Sequence, residues 1–123
     1  MIASSTYKQD KYYKKVTLAM HELLKGNVFV APVDVFQKMS LLSKEDYEDW
    51  RFGRVPYLEK VISCNLSKAG RILRILRFHA RDLGLKPSKT VYKKWGKGGK
   101  ILLRFSKSGR SAIEEAYSTH YVT

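Results

Sequence analysis

Four arginines recur at three- and four-residue spacing in the middle of the chain, at Arg71, Arg74, Arg77 and Arg81. On a helix with 100° per residue they fall within an arc of about 120°, which predicts one exposed row that we call the arginine stripe. A guanidinium group can donate two parallel hydrogen bonds to a phosphate or to a guanine. The stripe therefore indicates binding to nucleic acid, and the start of the same helix adds two more candidates, Ser67 and Lys68.

A second basic group lies in residues 93–100, which we call the lysine-rich loop. Its three glycines permit a tight turn and a close approach of the backbone to a ligand, and its lysines can neutralise phosphates. The candidate binding residues are Lys93, Lys94, Trp95, Lys97 and Lys100. The Trp95 side chain can stack on a base, but packing on the protein is its favoured interpretation. The loop is not a Walker phosphate loop, because Gly99-Lys100 is followed by Ile101 instead of serine or threonine.

The net charge of +13 over 123 residues is concentrated in one part of the chain. Residues 68–110, which we call the basic segment, hold 14 lysines and arginines and one carboxylate, Asp82, whereas the rest holds ten residues of each sign. Such a charge opposes compact folding by self-repulsion, and a polyanionic partner relieves it. Nucleic acid is the predicted partner, with an anionic membrane second. A surface that only favours solubility would not require acids to be missing from one segment.

Length and composition predict one globular domain over residues 1–123 that is soluble and intracellular. The first 15 residues have no apolar signal core, and no apolar run approaches about 18 residues. The single cysteine, Cys64, cannot form an internal disulfide. These features predict a cytoplasmic or nucleoid-associated protein without a membrane partner, and nothing in the sequence indicates a cofactor.

Periodicity and turn residues predict a mainly helical α+β chain with a C-terminal β-hairpin followed by a short helix. Residues 8–66 form a helical part with a short strand near 28–30, residues 67–84 the basic helix, residues 89–106 the hairpin and residues 111–120 the last helix. The helical part divides into helices over 8–25, 33–42, 43–50 and 56–64. The predicted N-caps are Ser43, Ser67 and Ser111, the last forming a capping box with Glu114.

This order of elements, together with the charge, resembles a winged helix-turn-helix, in which a recognition helix is followed by a two-stranded wing. The resemblance covers residues 10–106, and the additional helices before the basic helix and after the hairpin depart from the minimal pattern. It implies double-stranded DNA as the ligand, with the basic helix in the major groove and the hairpin on the backbone or in the minor groove. Two alternatives stay open: structured RNA, which would favour the hairpin and Trp95, and a protein-interaction module that docks on an acidic partner.

An acidic cluster follows Ser43, at Glu45, Asp46, Glu48 and Asp49. Residues 33–52 have the spacing of a second helix-turn-helix, but DNA phosphates would repel these carboxylates, so this unit should face away from nucleic acid. The cluster can pair with the arginine stripe, contact another protein, or complement the dipole of its own helix. Binding of nucleic acid by the stripe is favoured over pairing with the cluster.

The sequence does not predict an enzyme. His21, His79 and His120 are far apart in sequence and belong to no metal-binding motif. Two catalytic alternatives are a nuclease that holds Mg²⁺ at the acidic cluster and a nucleophile–base pair of Cys64 and His79. Neither alternative has a supporting motif.

Overall fold

The computed structural model describes residues 3–123, so Met1 and Ile2, which the predicted domain includes, lie outside the described residues. The elements within this range are α1 Tyr13–Leu24, β1 Phe29–Val30, α2 Pro32–Lys38, α3 Lys44–Arg51, α4 Leu66–Asp82, β2 Lys86–Ser88, α5 Ser111–Ser118 and β3 His120–Val122. Short 3-10 turns lie at Tyr7–Gln9 and Leu58–Lys60. The predicted class, α+β and mainly helical, is confirmed.

The three strands form one antiparallel sheet in the order β1-β3-β2, so the C-terminal strand is central. Pro87 pairs with Tyr121 on the edge strand β2, where its missing N–H breaks no inner ladder. β1 corresponds to the predicted strand near 28–30. The prediction of helix over 111–120 is wrong at its end, because the chain leaves α5 after Ser118 and continues as β3.

The core is aromatic at its centre. The Trp50 side chain of α3 is fully buried, and its indole N–H donates to the Arg104 carbonyl at 2.8 Å. Phe105 stacks on Tyr117 of α5 with ring centroids 5.7 Å apart, and Phe36 of α2 packs on the same tyrosine. These contacts tie the hairpin segment to α2, α3 and α5, while α4 packs mainly against α1.

The basic helix α4 buries the face that its periodicity predicts. The four fully enclosed side chains of the predicted face are Ala69, Ile72, Leu76 and Ala80. The same apolar repeat, with its three- and four-residue spacing, extends to Leu83, but that side chain is 41% exposed. The helix has already ended at Asp82, and Gly84, at φ +75°, reverses the chain in a conformation that glycine adopts without strain.

Of the predicted N-caps Ser43 and Ser67, only Ser43 caps its helix. The Ser43 hydroxyl accepts a hydrogen bond from the Asp46 N–H at 3.0 Å at the start of α3. At the start of α4 the cap is Asn65, whose side chain accepts from the Lys68 N–H at 2.8 Å. Ser67 therefore lies in the first turn, because asparagine caps as well as serine does and begins the helix two residues earlier.

The predicted capping box of α5 is wrong. Arg110 precedes the helix without a side-chain cap, and Ser111 is its first helical residue. The Glu114 carboxylate instead accepts hydrogen bonds from the backbone N–H groups of Phe105 and Ser106 at 3.0 and 2.8 Å. A carboxylate contributes more to stability when it accepts hydrogen bonds from buried N–H groups than when it caps an exposed helix end.

The predicted helix over 56–64 is also wrong, since only the 3-10 turn Leu58–Lys60 forms there. The N–H groups of Leu58 and Glu59 donate to the carbonyls of Arg104 and Phe105 at 3.2 and 2.9 Å. Contacts with a distant segment thus replace the hydrogen bonds within a helix.

The predicted hairpin over 89–106 is paired at one point only. An antiparallel bridge joins Lys93 to Leu102, with backbone hydrogen bonds of 2.8 Å on either side of it. Farther along, the Trp95 N–H donates to the Arg51 carbonyl at 2.7 Å. Beyond this bridge the two halves of the segment contact α3 and residues 58–59 instead of each other, so they do not form continuous strands.

Candidate nucleic-acid interface

The first member of the arginine stripe is committed to an internal ion pair. The Arg71 Nε donates to the Asp10 carboxylate at 2.8 Å, and the Asp10 side chain is only 2% exposed. The other Asp10 oxygen accepts from the Tyr12 N–H at 2.9 Å. Arg71 therefore fastens the N-terminal turn to α4, and its partner is Asp10, not the acidic cluster.

Arg74 and Arg77 lie on one wall of a groove between α4 and α5 with a volume of about 790 Å³. Lys107 and Arg110 line the same groove from the chain that leads into α5. We call this space the α4–α5 groove, and its apolar lining consists of Leu66, Leu73, Ala112, Ile113, Ala116 and Tyr117. Among residues 3–123, none of the four basic side chains has a carboxylate oxygen within 4 Å. Lys107 and Arg110 were not predicted, because their spacing gives no sign that they face α4.

The groove continues past Arg77 into a second depression of about 440 Å³, which Arg81 and the edge strand β2 help to line. The guanidinium groups of Arg77 and Arg81 each lie 5.5 Å from the centre of the Phe78 ring. Phe78 in turn packs on Tyr7, with ring centroids 5.7 Å apart. The last two arginines of the stripe are therefore supported on an aromatic side chain while both remain exposed.

The lysine-rich loop lies against the end of α3. Trp95 packs edge-on against Tyr47 and Phe52, and the Arg51 guanidinium lies 4.5 Å from its ring centre. The indole is 37% exposed, a placement that agrees with the packing interpretation of this side chain. Of the loop lysines, Lys94 is half-buried beside Gly53, and the others are exposed: Lys93, Lys97 and Lys100.

Two of the four carboxylates of the acidic cluster pair with basic residues close to them in sequence. Glu48 lies 3.9 Å from Lys44, and Asp49 lies 3.0 Å from Arg54, while Glu45 and Asp46 occupy the first turn of α3, where they favour its dipole. Within the described range, no residue of the cluster forms an ion pair with α4. The acidic cluster therefore does not neutralise the positive charge of the basic segment.

Two histidines distant in sequence meet beside α4. The His21 and His79 Nε2 atoms are 3.0 Å apart, and the His79 Nδ1 is 3.3 Å from the Tyr7 hydroxyl, which donates to Asp82 at 2.6 Å. Because the hydroxyl proton serves Asp82, the His79 Nδ1 carries a hydrogen and its Nε2 accepts from His21. Burial, and then the neighbouring His21, lower the pKa of His79. Both of its ring nitrogens are engaged in these contacts, and burial raises the pKa of the Cys64 thiol.

The described residues contain no cluster of three or more histidine, cysteine, aspartate or glutamate side chains placed to hold a metal ion. None of the helices in this range combines the length and the apolar character needed to cross a membrane. Comparisons with protein-family models, with curated proteins and with solved structures find no match to this chain.

Proposed function

We propose that this protein binds nucleic acid through the basic segment and that its role is binding, not catalysis. One observation carries the proposal. Of the 14 basic residues between 68 and 110, only Arg71 and Lys89 have a carboxylate within 4 Å in the described part of the chain, which leaves 12 without an ion pair. The Lys89 pair is long and exposed, so it screens little. A polyanion would supply the missing counter-charge.

Double-stranded DNA is the ligand class that we favour. The exposed arginines of α4 are Arg74, Arg77 and Arg81, and the major groove of B-form DNA is wide enough to admit a helix. In the winged-helix form of the proposal, α4 enters that groove while Lys97 and Lys100 contact the backbone. Structured RNA would instead depend mainly on the lysine-rich loop.

The affinity should depend strongly on salt, because each phosphate that a lysine or arginine neutralises releases a counterion. Each such contact contributes about −0.9 to the slope of log K against log salt on B-form DNA. Arg71 should add little to this slope, since its guanidinium already faces Asp10. A salt slope to which Arg71 contributes little would distinguish the arrangement in the structure from the interpretation of the sequence alone, in which all four arginines contribute.

The test is fluorescence anisotropy of labelled duplex DNA and of hairpin RNA over a salt series. The variant R74Q/R77Q removes two charges from α4, and the control K14Q/K15Q removes two exposed charges from α1. We expect R74Q/R77Q to weaken DNA binding and to reduce the salt slope by about 2, with a much smaller change in the control. Equal losses in both variants would mean that only net charge matters and would overturn the proposed interface.

The loop is tested in the same way with K97Q/K100Q. If DNA is the ligand, this variant should weaken binding about equally for all duplex sequences, because backbone contacts carry no sequence information. A loss confined to hairpin RNA would identify RNA as the ligand. Absence of saturable binding to either probe near physiological salt would refute the proposed function.

A further inference from the structure

Beyond nucleic-acid binding, we propose that the α4–α5 groove receives an amphipathic helix of an acidic partner protein. The groove is open because its two walls pack elsewhere: α4 turns its buried face to α1, and α5 packs against α2. Of the apolar side chains between them, Leu66 remains largely exposed and Ile113 partly exposed, whereas Tyr117 is buried at the floor. Exposed apolar surface that is contiguous and rimmed by charge marks a contact site for another molecule.

The rim of the groove determines the charge of the partner. Arg74, Arg77, Lys107 and Arg110 surround the apolar lining, and none of them has a carboxylate within 4 Å among the described residues. Of the two acids along the groove, Glu59 already accepts hydrogen bonds from the Tyr117 hydroxyl and the Lys107 N–H, and Glu115, in the second depression, lies 3.9 Å from the Lys89 ammonium. An occupant with glutamates or aspartates beside its apolar residues would match this rim.

A duplex nucleic acid matches the rim but not the lining. Its bases are stacked inside, so it presents mainly phosphates, and its few apolar groups, chiefly thymine methyls recessed in the major groove, do not form a continuous surface that could cover Leu73 and Ile113. An amphipathic helix supplies both, with apolar anchors at i, i+3, i+4 and i+7 and acids on the flanks. An added strand fits less well, because the edge strand β2 beside the groove contains Pro87, which has no N–H to donate.

A second copy of this chain is a poorer occupant. Its acidic helix, α3, buries Trp50 completely and Tyr47 partly in its own core. The helix therefore has acids but no free apolar anchors, whereas an external helix can have both. An external helix would also cover Arg74 and Arg77, so it should compete with nucleic acid for these two side chains.

The experiment uses a labelled synthetic helix of about 16 residues, long enough to span α5, with leucines at the anchor positions and glutamates on the flanks. One control peptide has the same composition in scrambled order, and another has lysines in place of the glutamates. Two protein variants complete the set: Ala112→Trp, at an exposed position that lines both parts of the groove, and Ser111→Trp, one residue earlier and outside the lining. Circular dichroism checks that both variants fold.

We expect the acidic amphipathic peptide to bind with Kd on the order of micromolar and the scrambled peptide at least about tenfold more weakly. Ala112→Trp should weaken binding of the ordered peptide by about tenfold or more, with Ser111→Trp close to the unmodified protein. Equal binding of ordered and scrambled peptides, or no effect of Ala112→Trp, would overturn the proposal.

Two further outcomes would also overturn it. If Ala112→Trp impairs binding of duplex DNA while the peptide does not bind, the groove is part of the nucleic-acid site. If sedimentation shows a dimer that Ala112→Trp disrupts, the occupant is a second copy. Failure of the protein to bind any nucleic acid would refute the proposed function without affecting the peptide result, because the two are measured with separate probes.

Discussion

Replacing Arg71 with glutamine removes one partner of an ion pair whose other partner is enclosed. The Asp10 side chain is 2% exposed, and the Arg71 Nε lies 2.8 Å from its carboxylate. Removing one partner of a fully buried pair costs about 3–5 kcal/mol, because the remaining charge is left uncompensated. The Arg71 side chain is 42% exposed, so water can replace part of the lost interaction. We therefore expect Arg71→Gln to lower the free energy of unfolding by about 2 kcal/mol.

Urea unfolding followed by tryptophan fluorescence measures this loss, since Trp50 is fully buried. With a slope near 2 kcal/mol per M, the midpoint should fall by about 1 M. Arg74→Gln is the matched control, because it is the same change on the same helix at an exposed position without an ion pair among residues 3–123. The free energy of unfolding of this variant should stay within about 0.5 kcal/mol of that of the unmodified protein.

A double-mutant cycle identifies the pair itself. Asp10→Asn keeps an oxygen for the Tyr12 N–H but loses the charge. If Arg71 and Asp10 interact as the structure indicates, the double variant should be about 1 kcal/mol more stable than the sum of the two single losses predicts. Additivity within about 0.3 kcal/mol, or a loss in Arg71→Gln no larger than in Arg74→Gln, would refute this reasoning.

Three other perturbations test the fold. Burial and the adjacent His21 hold the pKa of His79 below its ordinary 6.5. The contribution of His79 to stability should therefore be complete above pH 6.5 and decline as the pH falls through the folded-state pKa. Between pH 7.5 and 5.5 the variant His79→Gln should lose less stability than the unmodified protein, and equal losses would contradict this. Gly84→Ala, at φ +75°, should cost about 1 kcal/mol, whereas Gly26→Ala, with an ordinary φ and open space around it, should stay within about 0.5 kcal/mol. Trp50→Phe, which removes a buried ring and an indole hydrogen bond, should cost about 2–3 kcal/mol by urea unfolding, and a loss below about 1 kcal/mol would show that the core readjusts around the change.

Helix α4 illustrates what the sequence can predict. Its apolar residues repeat at helical spacing over many turns, so the buried face of Ile72 and Leu76 and the exposed side of Arg74 follow from the pattern alone. The partner of Arg71 does not follow from it, because Asp10 is 61 positions away in sequence and lies in an irregular segment. Helical periodicity describes one element, whereas an ion pair of this kind depends on how two elements are placed.

The hairpin segment shows the opposite case, in which local signals were present and tertiary contacts took precedence. The glycines of 96–99 do reverse the chain, and Lys93 and Leu102 do pair. Farther along, backbone groups of Trp95, Arg104 and Phe105 find partners on α3 and on residues 58–59, and no local pattern encodes that choice. The central strand β3 left a signal that was missed, since His120-Tyr121-Val122-Thr123 is rich in aromatic and β-branched residues.

The distribution of ion pairs explains how the charge asymmetry of the sequence persists after folding. Three of the five ion pairs within residues 3–123 join residues close in sequence: Glu22–Lys25, Lys44–Glu48 and Asp49–Arg54. Exposed pairs of this kind contribute at most about 1 kcal/mol each, so they neutralise acids locally without drawing acidic elements onto the basic segment. The topology is set instead by burial of apolar side chains such as those of Trp50 and Phe36. The basic segment consequently keeps its charge on the surface. Part of that charge borders the apolar lining of the α4–α5 groove, and the proposed binding of an acidic amphipathic helix rests on this combination of charge and apolar surface.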